Sequence, residues 1–151
     1  MVATTAGGPT DGGDTARSVD NLWNPFAGNT YLRGMADTVE WAAHEATHRL
    51  APLGRRLTHV LAVAERAHII GPPTVGDASA MLVTAALLHD IGYAPELATT
   101  RFHPLDGARF CRAAGHAEIA VLVAHHTGAR HEAALRGLLP ELLEDFPFAT
   151  H

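Results

Sequence analysis

The sequence contains no lysine: all 11 of its Lys-plus-Arg residues are arginine. That absence excludes a Schiff-base lysine and the lysine of a phosphate-binding P-loop. A single cysteine, Cys111, excludes an internal disulfide and any multi-cysteine zinc or iron–sulfur site, and it reads as a small core residue. Aromatics are scarce, with five Phe, two Trp and two Tyr, so Ala, Leu and Val must fill the interior. Such a composition suits small-residue helices better than a β-sandwich. No alternating strand pattern of useful length and no internal repeat is present. The longest nearly uncharged apolar run, Ala78 to Leu88, is too short to span a bilayer, and the N-terminus lacks the basic start and apolar centre of a signal peptide. A cytoplasmic protein with no membrane partner is the expectation. The net charge of −5 argues against a nucleic-acid polymer as partner.

Histidine is what the chain has in excess, 11 in 151 residues. The length is that of one domain, and 47% apolar against 18% charged residues supplies a core. Residues 1–35 are rich in Gly, Thr, Asp and Asn without a sustained period and read as a flexible lead-in, in which Trp23, Pro25, Phe26, Tyr31 and Leu32 could dock on a neighbouring surface. Residues 36–151 read as a compact all-α domain.

Its first helix starts at Ala36 with Asp37 as cap, places Val39, Ala42, Ala43, Ala46 and Leu50 on one face, and stops at Pro52–Gly54. A second, marked by Leu57, Val60, Leu61 and Ala64, is expected to stop at Gly71-Pro72-Pro73. Asp77 is the expected N-cap of a third helix, apolar on nearly every face and closed by Gly92. Pro104 and Gly115 bracket a fourth, and a fifth runs from Ala117 to Gly128. Arg130 to Asp145, interrupted by Gly137 and Pro140, reads as two short helices.

Within this framework, His89-Asp90 ends the most buried helix in the string LLHDIGY. A buried His beside a buried Asp is costly unless something pairs them. A neutral histidine donating to a backbone carbonyl, with Asp90 capping the next turn, would account for the dipeptide alone. Other residues shift the balance toward a metal site, however. His59 lies mid-helix beside the apolar stripe, His103 precedes Pro104, and His125-His126 ends the apolar helix IAVLVAHHTG. Helix bundles build metal sites from inward side chains on facing helices, and imidazole with carboxylate suits Fe, Mn, Co, Ni or Zn.

RRLTHVLAVAERA, AALLHDIGY, FHPLDGARF and VAHHTGA, in that order, resemble the motifs of the HD-domain superfamily of metal-dependent phosphohydrolases, HDIG type, over roughly Ala36 to Asp145. The resemblance implies a bundle of about five to seven helices. It also implies between one and three divalent ions per chain, with His59, His89 and Asp90 as ligands and His103, His125 and His126 as ligands of a second or third ion. The implied reaction is hydrolysis of a nucleotide or other small-molecule phosphate ester by a metal-activated water. Asp90 would bridge the ions, His126 or His103 would protonate the leaving oxygen, and Arg55, Arg56, Arg101, Arg109 and Arg130 are candidates to hold phosphate. A homodimer is the candidate assembly.

Two features depart from the pattern. HHTGA is followed by RHEAAL, not by the GYP of cyclic-di-GMP phosphodiesterases, so that substrate is not assigned. The closing Asp of the family pattern lacks an obvious counterpart: the chain reads as shortened at its C-terminus, and Glu132, Glu141, Glu144 and Asp145 are the candidates to supply it. A di-iron oxygenase and a catalytically silent metal- or ligand-binding module are the alternatives, because these motifs specify ligands rather than substrate.

His44-Glu45-Ala46-Thr47-His48 is a literal H-E-x-x-H, the zinc-protease pattern, expected by chance ~0.04 times in this composition. It has no HxxGxxH extension and sits beside the apolar stripe, which suits a solvated helix face. His68, His116, His131 and His151 are expected in solvent, as is Glu65. Asp106 is expected to cap the Pro104 helix or to orient His103.

Overall fold

The computed structural model describes residues 30–147, the side chains of residues 30–33 excepted; of the lead-in expected over 1–35, residues 30–35 are helical and residues 1–29 lie outside the described residues, as do His151 and the docking expected of the Trp23, Pro25, Phe26, Tyr31 and Leu32 side chains. The described residues form α1 (Thr30–Leu50), α2 (Arg55–Val75), α3 (Ser79–Leu88), α4 (His103–Ala113), α5 (Ala117–Ala124), α6 (Ala129–Leu135) and α7 (Leu139–Asp145), with 3-10 turns at Ala51–Leu53, Gly76–Ala78 and Ile91–Tyr93. No strand occurs among them, and none of these helices is long and apolar enough to cross a membrane.

The apolar period places α1 as expected: Ala42, Ala46 and Leu50 are fully buried at four-residue spacing. Its start differs. The helix begins at Thr30, so Asp37 lies inside it and caps nothing. α2 likewise runs past the expected stop, with Pro72 and Pro73 inside it and without N–H groups to donate. Termination falls to Gly76, at φ +55°. Leu61, expected on the inner stripe, is exposed, while Val60, Ala64, Ala67 and Gly71 face inward. Asp77 makes no cap bond; it sits in the 3-10 turn that leads into α3.

α3 is the centre of the fold, packed against α1, α2 and α5, with Ala80, Val83, Thr84, Ala86, Leu87 and Leu88 buried. Thr84 satisfies its buried hydroxyl on the Ala80 carbonyl at 2.8 Å. Leu88 and Ile91, both fully buried, flank His89-Asp90 and anchor that dipeptide. Burial of such side chains contributes about 1.5–3 kcal/mol each.

Gly92 was expected to close α3 as a helix terminator; its real constraint is space. A Cβ there would lie 2.1 Å from the His103 carbonyl oxygen and 2.6 Å from the Gly107 nitrogen. α4 therefore packs backbone to backbone on the Ile91–Tyr93 turn, which sets His103 over Asp90. α4 then packs on α5, and Cys111, fully buried between them with its thiol pushed up to about 12 by burial, is the core residue expected.

α5 ends at Ala124, four residues before the expected Gly128; Thr127 at φ +41° and Gly128 at φ +71° turn the chain into α6. Gly137, at φ +72°, separates α6 from α7 as the sequence suggests.

Candidate metal centre

Four helices converge on one buried carboxylate. Asp90 lies just past α3, His59 projects from α2, His89 closes α3, His103 opens α4 and His126 follows α5. Ligand atoms of His59, His89 and Asp90 all lie within 4.8 Å of one another, and those of Asp90, His103 and His126 form a second such group. Asp90 belongs to both. Its Oδ2 lies 3.6 Å from His89 Nε2, and its Oδ1 lies 3.4 Å from His103 Nε2. The imidazoles form a chain around it, with successive ring centroids from His59 to His89 to His126 to His103 between 5.2 and 5.4 Å apart.

Hydrogen bonds to the main chain fix the tautomers. His89 Nδ1 donates to the Ala86 carbonyl at 2.7 Å, and His126 Nδ1 donates to that of Val123 at 2.6 Å. A carbonyl only accepts, so in the neutral rings both Nε2 atoms carry lone pairs turned inward. His103 Nε2 lies 3.2 Å from His126 Nε2 and is left as the donor between them. Burial, with the nearby His126 adding to it, holds His103 down at about 4 despite the Asp90 charge. Burial also lowers His126. Two neutral imidazoles and an acid around a single shared proton form a donor set that fits a divalent cation.

Arg56 donates to Asp90 Oδ2 at 2.6 Å and lies 3.5 Å above the Tyr93 ring, whose other contact is His103 at 4.0 Å between centroids. Tyr93 was not singled out in the sequence; its place in the string HDIGY is the only signal for it. Glu132 on α6 lines the same cavity, of about 240 Å³, with His59, His89, Asp90, His103 and His126.

Several expected residues lie elsewhere. His125, expected as a ligand, points the other way, its Nε2 donating to the Phe146 carbonyl at 2.8 Å. Adjacent residues on a helix diverge by about 100°, and past α5 that divergence takes His125 to Phe146 while His126 faces the centre. Asp145 receives Arg109 Nε at 2.7 Å and Arg112, and Glu141 receives Arg109 Nη2 at 2.6 Å, which takes both acids away from the centre. Of the candidate closing acids, Glu132 alone lines the cavity. Arg109 is thereby withdrawn from the phosphate candidates, and Arg56 is the arginine bonded to the cluster. Asp106 neither caps α4 nor meets His103; it holds the preceding loop through the Thr100 N–H and hydroxyl at 2.9–3.1 Å. His116 is half-buried on Trp41, 4.2 Å between centroids, rather than in solvent.

In the H-E-x-x-H segment, His44 is exposed and Glu45 is held by Arg49 at 2.7 Å, itself bonded to Glu96. No metal-holding group among the described residues includes them.

An all-α bundle whose helices gather four histidines about one shared aspartate has a donor set that could hold metal ions. A family model for the HD domain matches residues 56–145, and the chain belongs to that family. No curated protein and no solved structure matches it.

Proposed function

We propose that the protein is a divalent-metal-dependent phosphohydrolase acting on a small-molecule phosphate ester. The observation that carries this reading is Asp90, one buried carboxylate common to two histidine ligand groups. Membership of the HD-domain family supports a metal-dependent, hydrolase-like module. Divalent ions held there supply a water acidified toward neutral pH and positive charge facing the phosphoryl oxygens.

The remaining work falls to the chain. His89 and His126, pinned through Nδ1, keep Nε2 unprotonated and aimed inward. His103 and His126 bring their Nε2 atoms to Asp90 and to within 3.2 Å of each other, which suits them to ligation, with the proton-donor role that the resemblance implies falling to whichever of them is not bound to an ion. Arg56, fixed by Asp90 and by stacking on Tyr93, presents a planar fork suited to a phosphate oxygen. Glu132, on the cavity wall and paired with Arg136, is the candidate to supply the closing carboxylate.

The test is metal content and phosphate release, measured on protein purified without chelator or histidine tag. The expected result is about two equivalents of metal, with Mn²⁺- or Co²⁺-dependent phosphate release. Asp90→Ala should lose both metals and the activity together. Iron with substrate-dependent oxygen uptake and no phosphate release would establish the di-iron oxygenase instead. Ligand binding without turnover would establish the silent module.

A further inference from the structure

Beside the polar cavity lies a second one of about 470 Å³, walled by Val63, Leu82, Ala85, Ala86 and Leu122 and sharing His59, His89, His126 and Thr127 with the first. No carboxylate and no arginine lines it. Val63, Leu82 and Ala86 also line a further hollow of about 400 Å³ that reaches Ala67 and Ile70, with Arg66 at its rim. The three histidines thus form the partition between a polar chamber and an apolar furrow that follows the α2–α3 seam. From His59 to Ile70 the helix rises about 16 Å.

We propose that this furrow binds the organic part of the substrate, which is therefore the phosphate ester of an extended aliphatic group and not of a sugar or nucleoside. The proposal rests on the phosphohydrolase reading for the head group alone. A phosphate held in the polar cavity would lie next to the furrow, because the two share His59, His89, His126 and Thr127 along their border. Ribose hydroxyls or base edges laid against Val63, Leu82 and Ala86 would lose water without gaining partners, whereas methylenes lose nothing there. A protein partner or a second copy of the chain seated in the furrow would cover the exposed His59 and close off the cluster, so substrate is the occupant that leaves the site working.

The experiment uses the full chain loaded with Mn²⁺ and titrated calorimetrically with methyl-, butyl- and octylphosphonate, which cannot be hydrolysed. Affinity should rise about two- to four-fold per methylene along the series. Leu122→Glu sets a charge on the furrow wall at a position that is 43% exposed and therefore tolerant in folding. It should weaken octylphosphonate at least about ten-fold and flatten the chain-length slope. Affinity independent of chain length, an undiminished slope in Leu122→Glu, or no phosphonate binding would overturn the proposal. So would a dimer that Leu122→Glu converts to monomer with no chain-length effect, since the face would then belong to a second copy. Octylphosphonate binding without phosphate release from octyl phosphate would uphold the furrow and sink the hydrolase reading. Release from nucleotides or sugar phosphates with no preference for alkyl length would do the reverse.

Discussion

Gly92→Ala tests whether the close approach of α4 to the Ile91–Tyr93 turn is what assembles the centre. The added Cβ would meet only backbone: the His103 oxygen at 2.1 Å, the Gly107 nitrogen at 2.6 Å and the His103 carbonyl carbon at 2.9 Å. None of these atoms can rotate away, so the start of α4 must retreat by about 1 Å or more to reach ordinary van der Waals spacing. Overpacking of this kind costs typically 1–3 kcal/mol, and clashes with two backbone segments put it at about 3 kcal/mol, or roughly 10 °C in Tm. His103 moves with its helix, opening its 3.4 Å approach to Asp90 and its 3.2 Å approach to His126. The group of Asp90, His103 and His126 should lose its ion, while that of His59, His89 and Asp90 keeps one. Gly107→Ala is the companion variant: its Cβ would meet Gly92 N and Ile91 Cγ2 at 3.1 Å and Val123 Cγ1 at 3.3 Å, strain that about 1 kcal/mol of helix propensity largely offsets. Urea melts and elemental analysis of both proteins give the answer. An unchanged melt with full metal content in Gly92→Ala, or a larger loss in Gly107→Ala, would refute the reasoning.

Asp145→Asn should leave metal content unchanged and lower stability by about 0.5–1.5 kcal/mol, since the carboxylate is spent on Arg109 and Arg112 at a partly exposed site. Burial works to raise Asp145, but the Arg109 hydrogen bond and charge, joined by Arg112, outweigh it and hold the acid below its ordinary 3.8. Its contribution is therefore complete above that value and fades as pH falls through the depressed one, so the gap between wild type and Asp145→Asn should close only in strong acid, as read from melts over a pH series. His125→Ala should keep its metal and lose about 1 kcal/mol with the Phe146 bond, whereas His126→Ala should lose an ion; equal metal loss in both would contradict the site. His44→Ala should alter neither metal content nor melting, and a lost zinc would revive the H-E-x-x-H motif.

The helical fold was legible because its signals are local. Apolar spacing placed the buried face of α1, and Gly137 divided α6 from α7, each requiring only neighbours in the chain. The centre's residue types were legible too: with one cysteine and 11 histidines, histidine and carboxylate are the donors available. Less was visible wherever a choice depended on distant segments. Adjacent His125 and His126 are chemically identical, and the end of α5 at Ala124, set by the turn into α6, sends one to Phe146 and the other to the centre. Glu132, Glu141, Glu144 and Asp145 were all candidates for the closing acid, and only the fold separates them: α7 delivers Asp145 to Arg109, while α6 brings Glu132 to the cavity wall. Gly92 read as a helix stop, because nothing adjacent reveals that the His103 carbonyl will occupy the space a side chain needs. Leu82 and Leu122 belong to apolar helices in which nothing local sets them apart, and packing left them along a furrow beside the histidines. Sequence determined which elements form and which atoms can bind metal, because hydrophobic period and donor chemistry belong to the residues themselves. Tertiary structure alone decided which donors meet, because a ligand group is a matter of distances of a few ångströms between helix ends that the chain order does not encode.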